Sequence, residues 1–416
     1  MTDYIKPTTL TTPDKKELVH NVRSGVTSNN EIIVTPADDL QIAINTLANM
    51  GGGTMYMTPG EYTIEATITL RSNVDIVGLG YSDGLLSAST DNENGVLIIS
   101  GMIVSNYCFI LQGTNVYTEG TISVDDGSST VTGTGTSWTQ SMVGQSILVG
   151  GFWRVITAVN SATSLIAPPA FGVRRDTLTN VDYAIAYPAS CSISNVVFWE
   201  ALSGAAGMIH YQYTDRISLQ NVTFYDTAIA VKIQDSARPQ LNDMAMIFAS
   251  DGIVIDNVGG LSADSIFANG QDVFQTNGGF TAIDMTQASM SNFTFEGFYG
   301  YGMSFTTSSR IHLSNFFLLT NQGEGMIVNS SFDFTIHNGL IQHNVNDGIL
   351  LNATTDRFII SNNHFVSNND NGLDIAAASC DNNLVIGNIF NGNGSTAMLN
   401  SGTGTLIRSN IGVADN

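Results

Sequence analysis

Lysine is nearly missing from this chain. Four Lys (Lys6, Lys15, Lys16 and Lys232) stand among 416 residues, and Asp plus Glu outnumber Lys plus Arg by 36 to 14, for a net charge of −22. Such a surface repels nucleic acid and anionic membranes, so neither is expected as a partner. Cysteine is as scarce. Cys108, Cys191 and Cys380 are too few and too scattered for a disulfide framework, and their odd count leaves at least one thiol unpaired. With no CxxC or Cys/His cluster beside them, sulfur ligation of a metal is excluded and burial as small hydrophobes is expected. No apolar run approaches the roughly 20 residues of a membrane-spanning helix, and Met1 to Arg23 is polar, without the apolar centre of a cleaved signal. Release by cell lysis, the route of virion proteins, remains open to an extracellular protein of this kind. A nucleophile elbow, a phosphate loop and a dinucleotide fingerprint are also absent, and no cofactor is expected.

What the chain does have is repetition. SNFFLLTNQGEGMI from Ser314, HNGLIQHNVNDGIL from His337 and SNNHFVSNNDNGLDI from Ser361 share one pattern. One Asn column runs through Asn321, Asn344, Asn368 and Asn393 at spacings of 23, 24 and 25 residues, and a second through Asn292, Asn315, Asn338 and Asn362. A period in this range means stacked units that bury their apolar faces against one another. It is too short for paired helices, and the short apolar alternations between Asn and Gly indicate strands. The 41 Gly and the 12% of charged residues suit a turn-rich all-β protein. The expectation is an all-β chain, a right-handed single-stranded parallel β-helix, with about nine to ten coils between residues 188 and 413. Stacked Asn amides can donate and accept along such a column. Asp251-Gly252, Glu324-Gly325, Asp347-Gly348 and Asn371-Gly372 place a turn former before Gly and an inward apolar residue in each unit.

Four segments are expected. Residues 1–34 hold three of the four Lys and no amphipathic period, which suggests an extended arm for attachment or a frayed terminus. Residues 35–116 open with a helix signal, with Thr35 as N-cap, Pro36 at the first helical position, Leu40, Ile44 and Leu47 on one face and Gly51 as the stop, and continue as the first coils. Such a helix would cap the exposed end of a solenoid. Residues 117–187 read as five or six short alternating strands with Asp-Asp-Gly, Gly-Gly and Asn-Ser turns, a small inserted β-domain. Residues 188–416 form the main β-helix.

The capping helix, the turn and strands in GGGTMYMTPGEYTI from Gly51, and ITLRSNVDIVGLG from Ile68 follow one another in an order that resembles the opening of the pectate-lyase-like superfamily of right-handed β-helices, which includes pectin-active enzymes and phage tailspikes. The inserted segment is similar to a module found in phage tail proteins. This resemblance implies a tailspike or tail-fibre protein of the virion, outside the cell, that binds and in some cases depolymerises a host cell-surface polysaccharide. It further implies a homotrimer packed along the solenoid axes, attached to other virion proteins through the N-terminal arm. A free extracellular polysaccharide hydrolase or lyase of the same fold and a non-catalytic structural spike are the alternatives.

Cleavage of a glycosidic bond needs two carboxylates, about 5–5.5 Å apart for retention or 6.5–9.5 Å for inversion. Aligning the coils on Phe198 and Phe224 places Glu200 and Asp226 in one outward column, as a candidate catalytic pair against the background of a merely solvated acidic face. Trp199 and Tyr225 fall beside them, and His210, Tyr211, Asp215 and Arg216 are candidates for holding a sugar. Trp138, Phe152 and Trp153 could offer a stacking platform or fill the inserted domain's core. A uronate lyase or epimerase is disfavoured: Arg216, Lys232 and Arg238 fall on neighbouring coils, but basic residues are scarce, there is no tight Asp triplet, and Phe298-Tyr299-Gly300 does not continue into Asp-Pro-His. His312, His337, His343 and His364 fall at different column positions of successive coils, so spacing predicts no metal site.

Overall fold

A computed structural model describes residues 30–80, 95–101, 106–168, 177–200, 206–270 and 278–413. Strands from Glu31–Val34 to Leu406–Arg408 pair in parallel into one 28-stranded array, in which each coil lies on the coil before it. Ile193, Leu219, Leu241, Ala263, Met290, Leu313, Ile336, Ile360, Val385 and Ile407 are successive register partners, so the segment from residue 188 holds ten rungs. The fold is a right-handed parallel β-helix, as expected from the repeat pattern and the right-handed rule for parallel crossovers.

One coil shows how the sequence makes the turn. The strand Ser309–Leu319 bends at Asn315, a corner follows at Thr320, the strand Met326–Asn329 runs along the next face, and Ser330 turns the chain into Phe332–Gln342 of the next coil. Asn315, Thr320 and Ser330 all have positive φ, near 50°. The second Asn column is therefore a corner column. Asn292, Asn315, Asn338 and Asn362 share φ values of 53–56°, and Asn tolerates this left-handed region better than most residues. Its side chains are mostly exposed and touch only at 3.4–3.5 Å.

The first Asn column lies inside. Asn321 Nδ2 donates to Asn344 Oδ1 at 2.9 Å, Asn344 to Asn368 at 2.9 Å, and Asn368 to Asn393 at 3.0 Å. The same oxygens accept the backbone N–H of the preceding Asn, so each amide satisfies the corner it occupies. A further buried ladder, Asn363, Asn388 and Asn410, went unread in the sequence because it begins only in the last coils. The glycines of the repeat answer to space rather than to positive φ: a Cβ on Gly325 would lie 2.5 Å from the Gly348 carbonyl oxygen, and one on Gly348 would lie 2.4 Å from that of Gly372. Between the corners the core is apolar, with stacked rings at Phe198–Phe224, Phe293–Phe316, Phe334–Phe358 and Phe365–Phe390. The three cysteines are free and buried.

The helix starts later than the sequence pattern predicts. It runs Leu40–Asn49, capped by Asp39, whose carboxylate accepts the Ile42 N–H at 3.1 Å, while Thr35 donates to Asp38 in the turn before it. Thr35 is thus the start of a turn and not the N-cap. Leu40, Ala43, Ile44 and Leu47 join the solenoid core, and the chain leaves the helix through Gly51 at φ 94°. Glu31–Val34, within the expected arm, instead pairs in parallel with Gly53–Met57, because Val34 contributes to the same core. Residues 1–29 of the arm lie outside the described residues.

Between the strands Tyr107–Gln112 and Ser192–Glu200 stand two antiparallel sheets, one of five strands and one of four, with a core of their own that includes Ile122, Val131, Ile147, Leu165 and Ile185. Trp138 is 3% exposed in that core and donates to the Tyr183 hydroxyl at 3.0 Å. Trp153, 6% exposed, fastens the sheets to the solenoid by donating to the Thr214 carbonyl at 2.9 Å. Gly151 packs backbone to backbone on Gly259, where a Cβ would meet the Gly259 nitrogen at 2.6 Å. With both Trp rings enclosed, Trp138, Phe152 and Trp153 do not form a stacking platform.

Candidate functional site

The outward faces of the bent strands carry ladders just as the inward faces do, because alternate residues of every strand point out. On the arm that follows the Asn corner, register pairing stacks Phe267, Thr294, Phe317, Leu340 and His364 on successive coils. Phe267 is 41% exposed and Phe317 46%. Beside this ladder runs the corner column Asn292, Asn315, Asn338 and Asn362, and from Thr294 to His364 the two line a groove of about 530 Å³. None of the lining residues is Asp, Glu, Lys or Arg. The groove offers an aromatic face and aliphatic surface in the middle and a row of amides at the edge, each amide able both to donate and to accept. The Asn column is legible in the sequence, and the further signal for the groove is the residue two places after each corner Asn, Thr294, Phe317, Leu340 and His364, apolar in the two middle coils.

The residues expected to form a site do not converge. The coil alignment itself holds, since Trp199 pairs with Tyr225 and Phe198 with Phe224. The faces differ. Glu200 is still in extended strand, opposite Ser100, only 5% exposed, and its Oε2 accepts the Ala228 N–H at 2.9 Å. Asp226 has turned the corner with φ 52° and is exposed. The two carboxylates therefore do not share an outward column. The cause is the corner, which follows Tyr225 at once and is not present at Glu200.

Tyr211 is fully buried, and burial, then the Cys191 thiol, hold its hydroxyl well above the usual tyrosine range, so it packs the core and meets no substrate. His210 faces outward on the strand Gly207–Gln212 but is half-buried against the Tyr107 ring, at 4.9 Å between centroids. Burial first, then the Lys232 charge, push it down to about 4. Asp215 and Arg216 lie at another corner. There Arg238 grips the Asp215 carboxylate through Nε at 2.8 Å and through a second nitrogen, and Arg216 stands 4.0 Å away. Arg357 makes a similar pair of contacts to Asp333 and Asp356 in later coils. These arginines tie coils together. Trp199 and Tyr225 remain half-exposed beside one another, with Tyr225 edge-on to Phe248 at 5.6 Å.

The histidines hold a surprise for the spacing argument. His312 pairs with Thr335, which puts His337 two residues further along the neighbouring coil on the same outward face. Their Nε2 atoms are 3.1 Å apart. His364 lines the groove and His343 occupies a left-handed corner.

A family model described as periplasmic copper-binding protein (NosD) matches residues 240–411. No curated protein matches the sequence. Among solved structures, the A-module of the mannuronan C-5 epimerase AlgE6 of Azotobacter vinelandii is 13% identical over 91% of this chain and 95% of its own, with a TM-score of 0.53. Tailspike protein 3 of bacteriophage CBA120 is 10% identical over 91% of this chain and 60% of its own, with a TM-score of 0.52. The tailspike gp49 of Pseudomonas phage LKA1 is 12% identical over 90% of this chain and 74% of its own, also at 0.52. At these identities the likeness establishes the β-helix fold. Among the described residues no group of three or more His, Cys, Asp or Glu is placed to hold a metal ion.

Proposed function

We propose that the protein is a tailspike-like β-solenoid that binds a cell-surface polysaccharide in the groove between the Phe317 ladder and the corner Asn column. The observation that carries this reading is the exposed Phe317 ring beside a periodic row of exposed amides along several coils. Sugar rings present CH faces that pack on an aromatic ring and hydroxyls that pair with amides, and a groove repeating once per coil suits a polymer better than a small molecule. The lining carries no formal charge while the whole chain is strongly acidic, so the favoured ligand is built of neutral sugars. The tailspikes among the structural neighbours support a polysaccharide ligand, a virion setting and a homotrimer, and attachment to other virion proteins is proposed through the part of the N-terminal arm that precedes the strand Glu31–Val34.

Cleavage is a separate claim. Glu200 and Asp226 remain the proposed acidic pair, but a hydrolytic reading requires Glu200 to leave its backbone partner, whereas binding requires neither residue. The test of binding is a panel of neutral and acidic capsular and O-antigen polysaccharides on immobilised full-length protein. Phe317→Ala and Asn338→Gly, which keeps the corner's φ, should each weaken the best neutral ligand at least tenfold without altering the far-ultraviolet spectrum. Unchanged affinity in both variants, or a preference for acidic chains that survives them, would overturn the groove assignment.

A further inference from the structure

We propose that His312 and His337 form a two-histidine site for a late first-row divalent cation, copper(II) foremost. The rings stand on adjacent coils, outward on one face, with centroids 4.8 Å apart and planes 48° apart. Nε2 faces Nε2 at 3.1 Å. Two imidazole nitrogens bound to one ion at about 2.0–2.1 Å, with an angle between a right angle and the tetrahedral value, lie roughly 2.8–3.4 Å apart. The observed spacing falls inside that range. In the metal-free protein the same contact is made by one ring donating an Nε2 proton to the other, with the donor set by the tautomer; to ligate through both Nε2 atoms, the donor ring must carry that proton on Nδ1 instead.

Several features prepare the pair to ligate. Both residues sit within long, paired strands, Ser309–Leu319 and Phe332–Gln342, so the spacing is set by the rigid ladder and not by a loop. Register places Ser289 and Thr335 beside His312, and Ser314 and Ser361 beside His337, hydroxyls that leave room for water or an external donor on the ion. With two protein ligands only, affinity follows the intrinsic order of the metals, which peaks at copper(II) for imidazole. The site lies on the strand arm before the Asn corner and shares no lining residue with the groove.

The test is a titration of the metal-free full-length chain with copper(II), followed by calorimetry and electron paramagnetic resonance. One equivalent should bind with hyperfine structure from two nitrogens. His312→Ala and His337→Ala should each weaken that equivalent about tenfold or more and leave at most one nitrogen in the spectrum. His364→Ala should retain the full site. Both side chains being on the surface, circular dichroism should report unchanged folding in each variant, and His312→Asn serves as a second probe of the same ligand. Absence of a two-nitrogen signal in the unaltered protein, or its persistence in either alanine variant, would overturn the assignment.

Discussion

The early and late coils of the solenoid solve one problem by different means. At the corner after the second arm, the residue following the left-handed position is Thr227 and Ala249 in early coils and Phe298 midway, but Asn321, Asn344, Asn368 and Asn393 in later ones. Late corners satisfy their buried N–H groups with a ladder of side-chain amides. The early corner at Ala228 draws instead on the Glu200 carboxylate, which accepts one such N–H from the coil below. A second column makes the same exchange. Phe293 and Phe316 stack at 5.1 Å, Gly339 gives the Phe316 ring its room, and Asn363, Asn388 and Asn410 take over beyond it. Aromatic stacking runs through coils of variable length, while the two amide ladders run through late coils whose spacings stay between 22 and 25 residues.

The largest effect should come from breaking the late ladder. Asn344 takes part in four hydrogen bonds through its side chain, accepting two from Asn321 and donating to Leu318 and Asn368. Asn344→Ala leaves several of these groups buried without partners, and should cost about 3 kcal/mol. Asn338→Ala, on the exposed corner column, loses its tolerance of positive φ and a long, exposed contact to Asn315 at 3.4 Å, and should cost about 1 kcal/mol. Guanidinium midpoints of the two variants check the contrast; equal shifts would mean that the two Asn columns do the same work.

A smaller effect tests the early substitute. Glu200→Ala orphans the Ala228 N–H and should cost about 2 kcal/mol, whereas Glu200→Gln keeps an oxygen acceptor and should cost less. Asp226→Asn changes an exposed residue for another that accepts positive φ and should shift the midpoint by less than about 0.5 kcal/mol. Where a cleaved glycan is found, loss of turnover in both amide variants at unchanged stability would restore the pair to catalysis.

This contrast also explains what the sequence made legible. The solenoid and its ten rungs from residue 188 follow from the repeat, since a fixed period stacks units that bury their apolar faces on one another, and the hand follows from the right-handed rule for parallel crossovers. The inward ladder at Asn321 was legible for the same reason. Positions next to corners were not legible: a strand that ends one residue earlier leaves Asp226 exposed while Glu200 is buried, and pattern alone does not mark where a strand ends. Thr35 failed as a cap because Asp39 competes for the same role one turn later. The His312–His337 pair stayed hidden because its members occupy neighbouring, not identical, columns and meet diagonally across the sheet.

The smallest effect is a change of slope with pH, and it probes the late coils again. Asp374 lies beside Asp347 and Asp370, and burial, then those two charges, push it up to about 6, while burial also raises Asp347 itself. A carboxyl raised above its ordinary value near 4 binds more protons folded than unfolded, so its contribution is fully present below about pH 4 and is lost as pH rises through 6. His210, pushed down to about 4, acts oppositely and adds stability as pH rises from 4 towards 6.5. The whole-protein slope therefore mixes the two, and a difference between variants separates them. Asp374→Asn should raise the midpoint at pH 7 relative to the unaltered chain and lose that advantage by pH 4, while His210→Gln should leave the midpoint at pH 7 little changed and gain towards pH 4. Midpoints measured at half-unit intervals check both signs. An Asp374→Asn difference that does not vary between pH 4 and 7 would place that carboxyl in open solvent, away from its acidic neighbours.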